Sequence, residues 1–163
     1  DAGQLDPNGH LHHPQLGSLD IQPVSVGNPH CVTFVDALSD PLLESLGPFL
    51  TDSPVFSQGT NVQLALVVAP QEVEILIWER GVGRTSASGT SACAAASACV
   101  RRGLLEPGEI TVIMEGGSLE VTVSPEWDIR LRGPVQEVGT GKLGRGFVDG
   151  LGSHPAEQND SGS

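Results

Sequence analysis

Apolar and polar positions along this chain change period several times, and the changes mark its elements. Ile21–Val26 and Cys31–Asp36 are short β-type runs separated by Gly27, Asn28, Pro29 and His30. Further on, Val62, Leu64, Leu66 and Val68 alternate with Gln63, Ala65 and Val67. After Ala69-Pro70, Val73, Ile75 and Ile77 alternate with Glu72, Glu74 and Leu76. Alternation with a period of two predicts strands that turn one face to a core. Ile110–Met114 and Leu119–Val123 flank Gly116-Gly117, a hairpin signal, and Asp128–Arg132 adds a strand stopped by Gly133-Pro134. One short helix interrupts the strands. Asp40 suits its N-cap and Pro41 its first turn, Leu42, Leu43 and Leu46 give it an apolar stripe, and Gly47-Pro48 is expected to end it.

The stretch from Trp78 to Arg102, WERGVGRTSASGTSACAAASACVRR, follows neither pattern. A loop of Gly, Ser and Thr leads into a run from Thr90 to Val100 without a single charge. Small side chains on every face predict a helix buried all round. Arg101 and Arg102 suit the negative end of its dipole, and Gly103 suits its C′ stop. The other end presents free backbone N–H groups, which favours a small anionic ligand. A tight turn before a well-packed helix, with no ligand, is the competing reading. Roughly seven strands, one minor helix and one buried helix make an α+β domain, a curved and mostly antiparallel sheet wrapped around the central helix.

The ends carry less pattern. Residues 1–18 are rich in Gly, Pro and polar groups and read as a flexible N-terminal linker, the domain proper spans 19–149, and 150–163 reads as a disordered tail. His10, His12 and His13 have no cysteine or carboxylate at ligand spacing, so no metal is expected. At 163 residues the chain has room for one ordinary core. Its formal charge of −12 argues against nucleic acid or an anionic membrane as partner. Cys93 and Cys99 lie roughly 240° apart around one helix and cannot bridge each other. With Cys31 they read as free thiols of a reducing cytoplasm.

Three loops beside predicted strand ends hold the candidate chemistry: Gly27-Asn28-Pro29-His30-Cys31, Gly59-Thr60-Asn61-Val62, and Glu79-Arg80-Gly81 with its continuation Ser88-Gly89-Thr90. Taken singly, each has an ordinary reading: Asn28 as a turn residue, His30 as a structural histidine, Glu79-Arg80 as a surface ion pair. Spacing alone does not bring them together.

In order, however, SVGNPHCVTFVD, PVFSQGTNVQL and WERGVGRTSASGTSACAAA resemble the C-terminal half of the diaminopimelate epimerase family, over roughly Val24–Val138. The resemblance implies two similar halves, each a sheet around a central helix, with the active site between them. It implies inversion at an amino-acid α-carbon without cofactor, by two cysteines, one from each half. Gly89 and Thr90 would then hold the reacting α-carboxylate, and Asn28, Asn61 and Arg80 the distant end of a diaminopimelate-like substrate. Glu79 would border that substrate and, with His30, set the protonation of the catalytic thiols. The expected partners are that amino acid, the other half of the fold and a second copy of the protein.

The chain departs from the family where the second catalytic cysteine is expected, and has Ser88. Arg84 replaces a common Glu, and Ser91 a common Gly. A hydroxyl without an adjacent base is a poor proton donor or acceptor. An epimerase is therefore the leading expectation. An amino-acid-binding relative with impaired catalysis, and a same-fold isomerase that does not use two thiols, are the alternatives.

Overall fold

The computed structural model describes residues 11–151. Strand β1 (Leu11–His13) pairs antiparallel with β2 (Gly17–Leu19). Then come β3 (Ile21–Ser25), β4 (Pro29–Phe34), helix α1 (Asp40–Thr51), β5 (Asn61–Ala69), β6 (Glu72–Glu79) and β7 (Gly83–Thr85). Helix α2 (Gly89–Arg101), β8 (Gly108–Met114), β9 (Gly117–Val123), β10 (Ile129–Arg132) and α3 (Arg145–Leu151) complete the order.

The main sheet has eight strands in the order β10-β9-β8-β6-β5-β4-β3, with β7 paired to the far end of β6. Among the described strands only β4–β5 and β6–β8 run parallel. The sheet curls around α2, which packs against β3, β4, β5, β6 and β8 to β10. As the alanine-rich run predicts, Ala92, Ala94, Ala95, Ala96, Ala98 and Cys99 are fully buried. They meet Val32, Ile75, Ile77, Ile110, Val112 and Val121 from the strands. Side chains this small let so many strands close on one helix. Gly103, at φ +66°, turns the chain out of the helix, and the backbone N–H of Leu104 donates to the Cys99 carbonyl at 2.9 Å.

Alternate residues of the same strands face α1 instead: Cys31, Val62 and Leu64 meet Leu43, Leu46 and Leu50. Both faces of the central strands are therefore covered, which explains why Gln63 and Ala65 are as buried as their neighbours. Helix α1 departs from expectation at both ends. Its N-cap is Ser39, not Asp40, and Asp40 turns its carboxylate to Arg84 at 2.8 Å. Gly47-Pro48 does not end it, and the helix continues to Thr51 because Leu50 and Thr51 are buried. Gly47 sits against the Trp78 ring, where a Cβ would come within 2.5 Å.

Residues 11–18, expected as part of the linker, form most of the β1–β2 hairpin. Leu11 and Leu19 join the core under α1. His13 Nδ1 accepts from the backbone N–H groups of Gln15 and Leu16, both at 3.2 Å, and its ring meets Phe49 edge-on at 4.6 Å. Three-residue strands are too short to display a period, so the pattern of the sequence could not reveal them. Residues 1–10 of the expected linker and 152–163 of the expected tail lie outside the described residues. From 133 to 144 the chain is irregular and exposed, and α3 buries no residue. No helix among the described residues is long and apolar enough to cross a membrane.

Candidate active site

Strand register assembles the three polar loops. In the parallel β4–β5 pair His30 stands opposite Asn61. In the antiparallel β5–β6 pair Val62 stands opposite Trp78, so the next residues outward, Asn61 and Glu79, lie side by side. The start of β4, the start of β5 and the end of β6 thus share one edge of the curled sheet.

Hydrogen bonds lock that edge. Asn61 Nδ2 donates to the Pro29 carbonyl at 3.1 Å, and Asn61 Oδ1 accepts the backbone N–H of Arg80 at 3.0 Å. The Arg80 guanidinium donates to the Gln58 carbonyl, and its stem lies over Gly59, where a Cβ would meet Arg80 Cδ at 2.9 Å. Gly59 also has φ +70°, so this corner excludes a side chain twice over. His30 is buried, with Nε2 3.1 Å from Asn28 Oδ1 and Nδ1 3.3 Å from Gln63 Oε1. Beside it a depression of about 290 Å³ is lined by Pro23, Val24, Ser25, Pro29, His30 and Phe56. A neighbouring one of about 440 Å³ reaches Gly27, Gln58 and Gly59.

The N-terminus of α2 joins the same group from the concave side. Ser88 is its N-cap: Oγ accepts the N–H of Ser91 at 3.4 Å, and the Ser88 carbonyl accepts that of Ala92 at 3.0 Å. Ser88 Oγ also lies 3.4 Å from Thr90 Oγ1. Gln63 Nε2 and Ser91 Oγ are 3.0 Å apart, which ties the helix end to β5 and so to His30. The loop before Ser88 is pinned by the β8–β9 turn, where the Gly116 N–H donates to the Ser86 carbonyl at 2.7 Å. Arg84 bridges Asp40 at 2.8 Å and Glu115 at 3.2 Å, fastening β7 to α1 and to that turn. This cross-link gives the arginine at position 84 a structural role.

All the residues singled out in the sequence are therefore linked. Asn28 is bonded to His30 and Asn61 to Arg80, and Asn61 reaches the first pair through the Pro29 carbonyl. Ser88 is tied in through Ser91 and Gln63, Thr90 through Ser88 with Gly89 between them in the chain, and Glu79 by register and by charge. Gln63 and Ser91 went unassigned in the sequence, although a glutamine among Val62, Leu64 and Ala65 was a visible signal of a buried polar contact.

Burial holds the His30 imidazole below its usual pKa; the Gln63 side chain, where its oxygen faces the ring, and the Glu79 charge pull the other way. Burial also pushes the Cys31 and Cys99 thiols up to about 12 and raises Cys93. None of the three cysteines has the character of a reactive thiolate. Among the described residues no group of His, Cys, Asp or Glu is arranged to hold a metal ion.

A curled sheet around a buried helix, with polar strand ends gathered at the helix N-terminus, defines an epimerase-type α+β fold. The solved structure of a predicted epimerase from Pseudomonas aeruginosa shares it, with a TM-score of 0.52 and 23% identity over 73% of this chain and 43% of that one. The family model for diaminopimelate epimerase matches residues 23–138, and this chain belongs to that family. It is 40% identical over 126 residues to the diaminopimelate epimerase of Geobacillus kaustophilus, covering 77% of this chain and 43% of the relative. It is 41% identical over 127 residues to that of a Cyanothece species, covering 77% and 45%. The chain thus spans less than half the length of these relatives.

Proposed function

We propose that this chain is the C-terminal half of a cofactor-independent amino-acid epimerase acting on diaminopimelate or a close analogue. The observation that carries the reading is the gathering of Asn28, His30, Asn61, Glu79 and Arg80 beside the N-terminus of α2. In this reading the substrate α-carboxylate sits on the backbone N–H groups of Gly89 and Thr90, which precede the first intrahelical bond. They stabilise the negative charge that spreads onto the carboxylate as the α-proton leaves. Arg80 and Asn28 face the distal amino-acid end, and Asn61 holds their loops in place. His30 and Glu79 set the local charge. The other half of the family fold supplies the thiolate that removes the proton, and Ser88 stands where a proton returns to the opposite face. Three free cysteines suit a reducing compartment, the cytoplasm.

Ser88 favours a second reading. Among the described residues its Oγ has the Ser91 N–H and the Thr90 hydroxyl as partners and no imidazole or carboxylate. A hydroxyl so placed is a weak acid and has no base to activate it. The chain would then bind an amino acid without inverting it efficiently.

One experiment separates the two readings. The complete protein, with both halves of the family fold, is incubated with each diaminopimelate stereoisomer in heavy water, and label uptake and configuration are followed together. The epimerase reading expects uptake to outpace inversion, and Ser88→Cys to raise inversion. Substrate binding without uptake by either protein supports the binding reading.

A further inference from the structure

From His30 to the α2 N-terminus runs a chain of three buried side chains, His30, Gln63 and Ser91, in which the imidazole faces two carboxamide oxygens and can donate to only one. Asn28 Oδ1 faces Nε2 and Gln63 Oε1 faces Nδ1. A neutral imidazole carries one N–H, so only one of these oxygens can receive a proton from the ring. The orientation of a carboxamide is set by its hydrogen bonds, and here the far end of Gln63 decides. Ser91 Oγ, fully buried, has Gln63 as its side-chain partner at 3.0 Å. Its hydroxyl proton finds an acceptor there if Gln63 turns its oxygen to Ser91. The Gln63 amide N–H then points at Nδ1 of His30, and the ring proton sits on Nε2, directed at Asn28 Oδ1. Every one of these contacts then pairs a donor with an acceptor.

We propose that Ser91 and Gln63 are positioning residues that hold His30 as its Nε2–H tautomer, so that the imidazole presents a hydrogen-bond donor, not a base, to the Asn28 side of the cleft. Ser91 stands where a glycine is common in the family this chain resembles. A glycine there would leave the Gln63 amide free to turn and the ring free to exchange tautomers. The relay also gives the serines at 88 and 91 one joint role, because Ser88 Oγ receives the Ser91 N–H while the Ser91 hydroxyl orients Gln63. Glu79 is the charged group that acts on His30, and it works against its burial.

The place of His30 in a catalytic cleft rests on the function proposed above, whereas its tautomer can be read in the ligand-free chain. The two can therefore fail separately. The test is a long-range ¹H–¹⁵N correlation spectrum of the ¹⁵N-labelled protein above pH 7, with His30 assigned by His30→Gln. The expected result is the Nε2–H pattern in the native chain and a shift towards Nδ1–H in Ser91→Ala, with Ser91→Thr keeping the native pattern. Loss of packing alone would lower stability without moving the tautomer. An Nδ1–H pattern in the native chain overturns the proposal without need of any variant. So does an unchanged tautomer in Ser91→Ala that keeps the native circular dichroism.

Discussion

Asn61 and Arg80 are joined side chain to backbone: the carboxamide oxygen of Asn61 accepts the Arg80 N–H at 3.0 Å, while its nitrogen holds the Pro29 carbonyl at 3.1 Å. Both ends of this amide are occupied by backbone groups from the other two polar loops. Asn61 is therefore the fastener of the candidate site. Asn61→Ala should remove both bonds and leave two backbone groups partly unsatisfied, a loss of about 1–3 kcal/mol. Urea unfolding followed by circular dichroism should show a lower midpoint at an unchanged slope. A midpoint equal to the native one would mean that the loops do not depend on this residue.

Gly47 makes a second prediction, in which two effects compete. Alanine within a helix is favoured over glycine by about 1 kcal/mol. At this position, however, the new Cβ would lie 2.5 Å from Trp78 Cγ and Cδ2, at the root of a ring that cannot swing aside. Overpacking a closed contact costs typically about 1–3 kcal/mol, so the clash wins. Gly47→Ala should lower the melting temperature and perturb Trp78 fluorescence. A stabilised variant would contradict the packing of α1 on β6.

Most of the strands were legible in the sequence because their alternation is long enough to count, and the central helix because a long run of small, uncharged side chains has no face for water. Thr90 to Val100 carries no charge, and the alternation from Val62 to Ile77 spans two strands. What escaped was decided by contacts between distant segments. Pro48 is an ordinary helix stop until Leu50 and Thr51 gain a core to enter. Asp40 is a good N-cap until Arg84, forty-four residues on, draws its carboxylate away. The β1–β2 hairpin has too few residues to show a pattern, and it exists because Leu11 and Leu19 reach the α1 core. At the site, the residue types could be read directly, whereas their assembly follows from the register His30↔Asn61 and Val62↔Trp78. Gln63 stands out among its apolar neighbours, but its partners, His30 and Ser91, come from β4 and α2, and only the fold brings them to it.

His30 links the site to pH. Its folded pKa lies below the unfolded value of 6.5, chiefly through desolvation. For a base so shifted, the unfolded chain binds more protons in the window between the two values, so stability rises with pH there. The contribution is complete above about 6.5 and is lost as pH falls from there through the folded pKa. Chemical unfolding across that window should show the loss, and His30→Gln should flatten it relative to native. If the native and His30→Gln slopes coincide, His30 is not the group responsible.

The thiols give the last prediction. Cys31 and Cys99 are fully buried with pKa values of about 12, and the pKa of half-buried Cys93 is also raised. Alkylation requires the thiolate and access to it, so the native chain should react slowly with iodoacetamide at about pH 7. Among the three, peptide mapping should find Cys93 modified before the other two. Ser88→Cys changes this at one defined place. Position 88 is partly exposed at the N-cap of α2, where the helix dipole and the Ser91 N–H favour an anion. Thiols at helix N-termini have pKa values well below the usual value of about 8.5. The introduced thiol should therefore become the fastest-reacting one, with a rate that levels off at lower pH than that of Cys93. This measurement needs no substrate and no second half, so it tests the local electrostatics independently of the proposed reaction. If the thiol of the Ser88→Cys variant reacts no faster than Cys93, this helix end does not stabilise negative charge, and the carboxylate site proposed at Gly89 and Thr90 loses its physical basis.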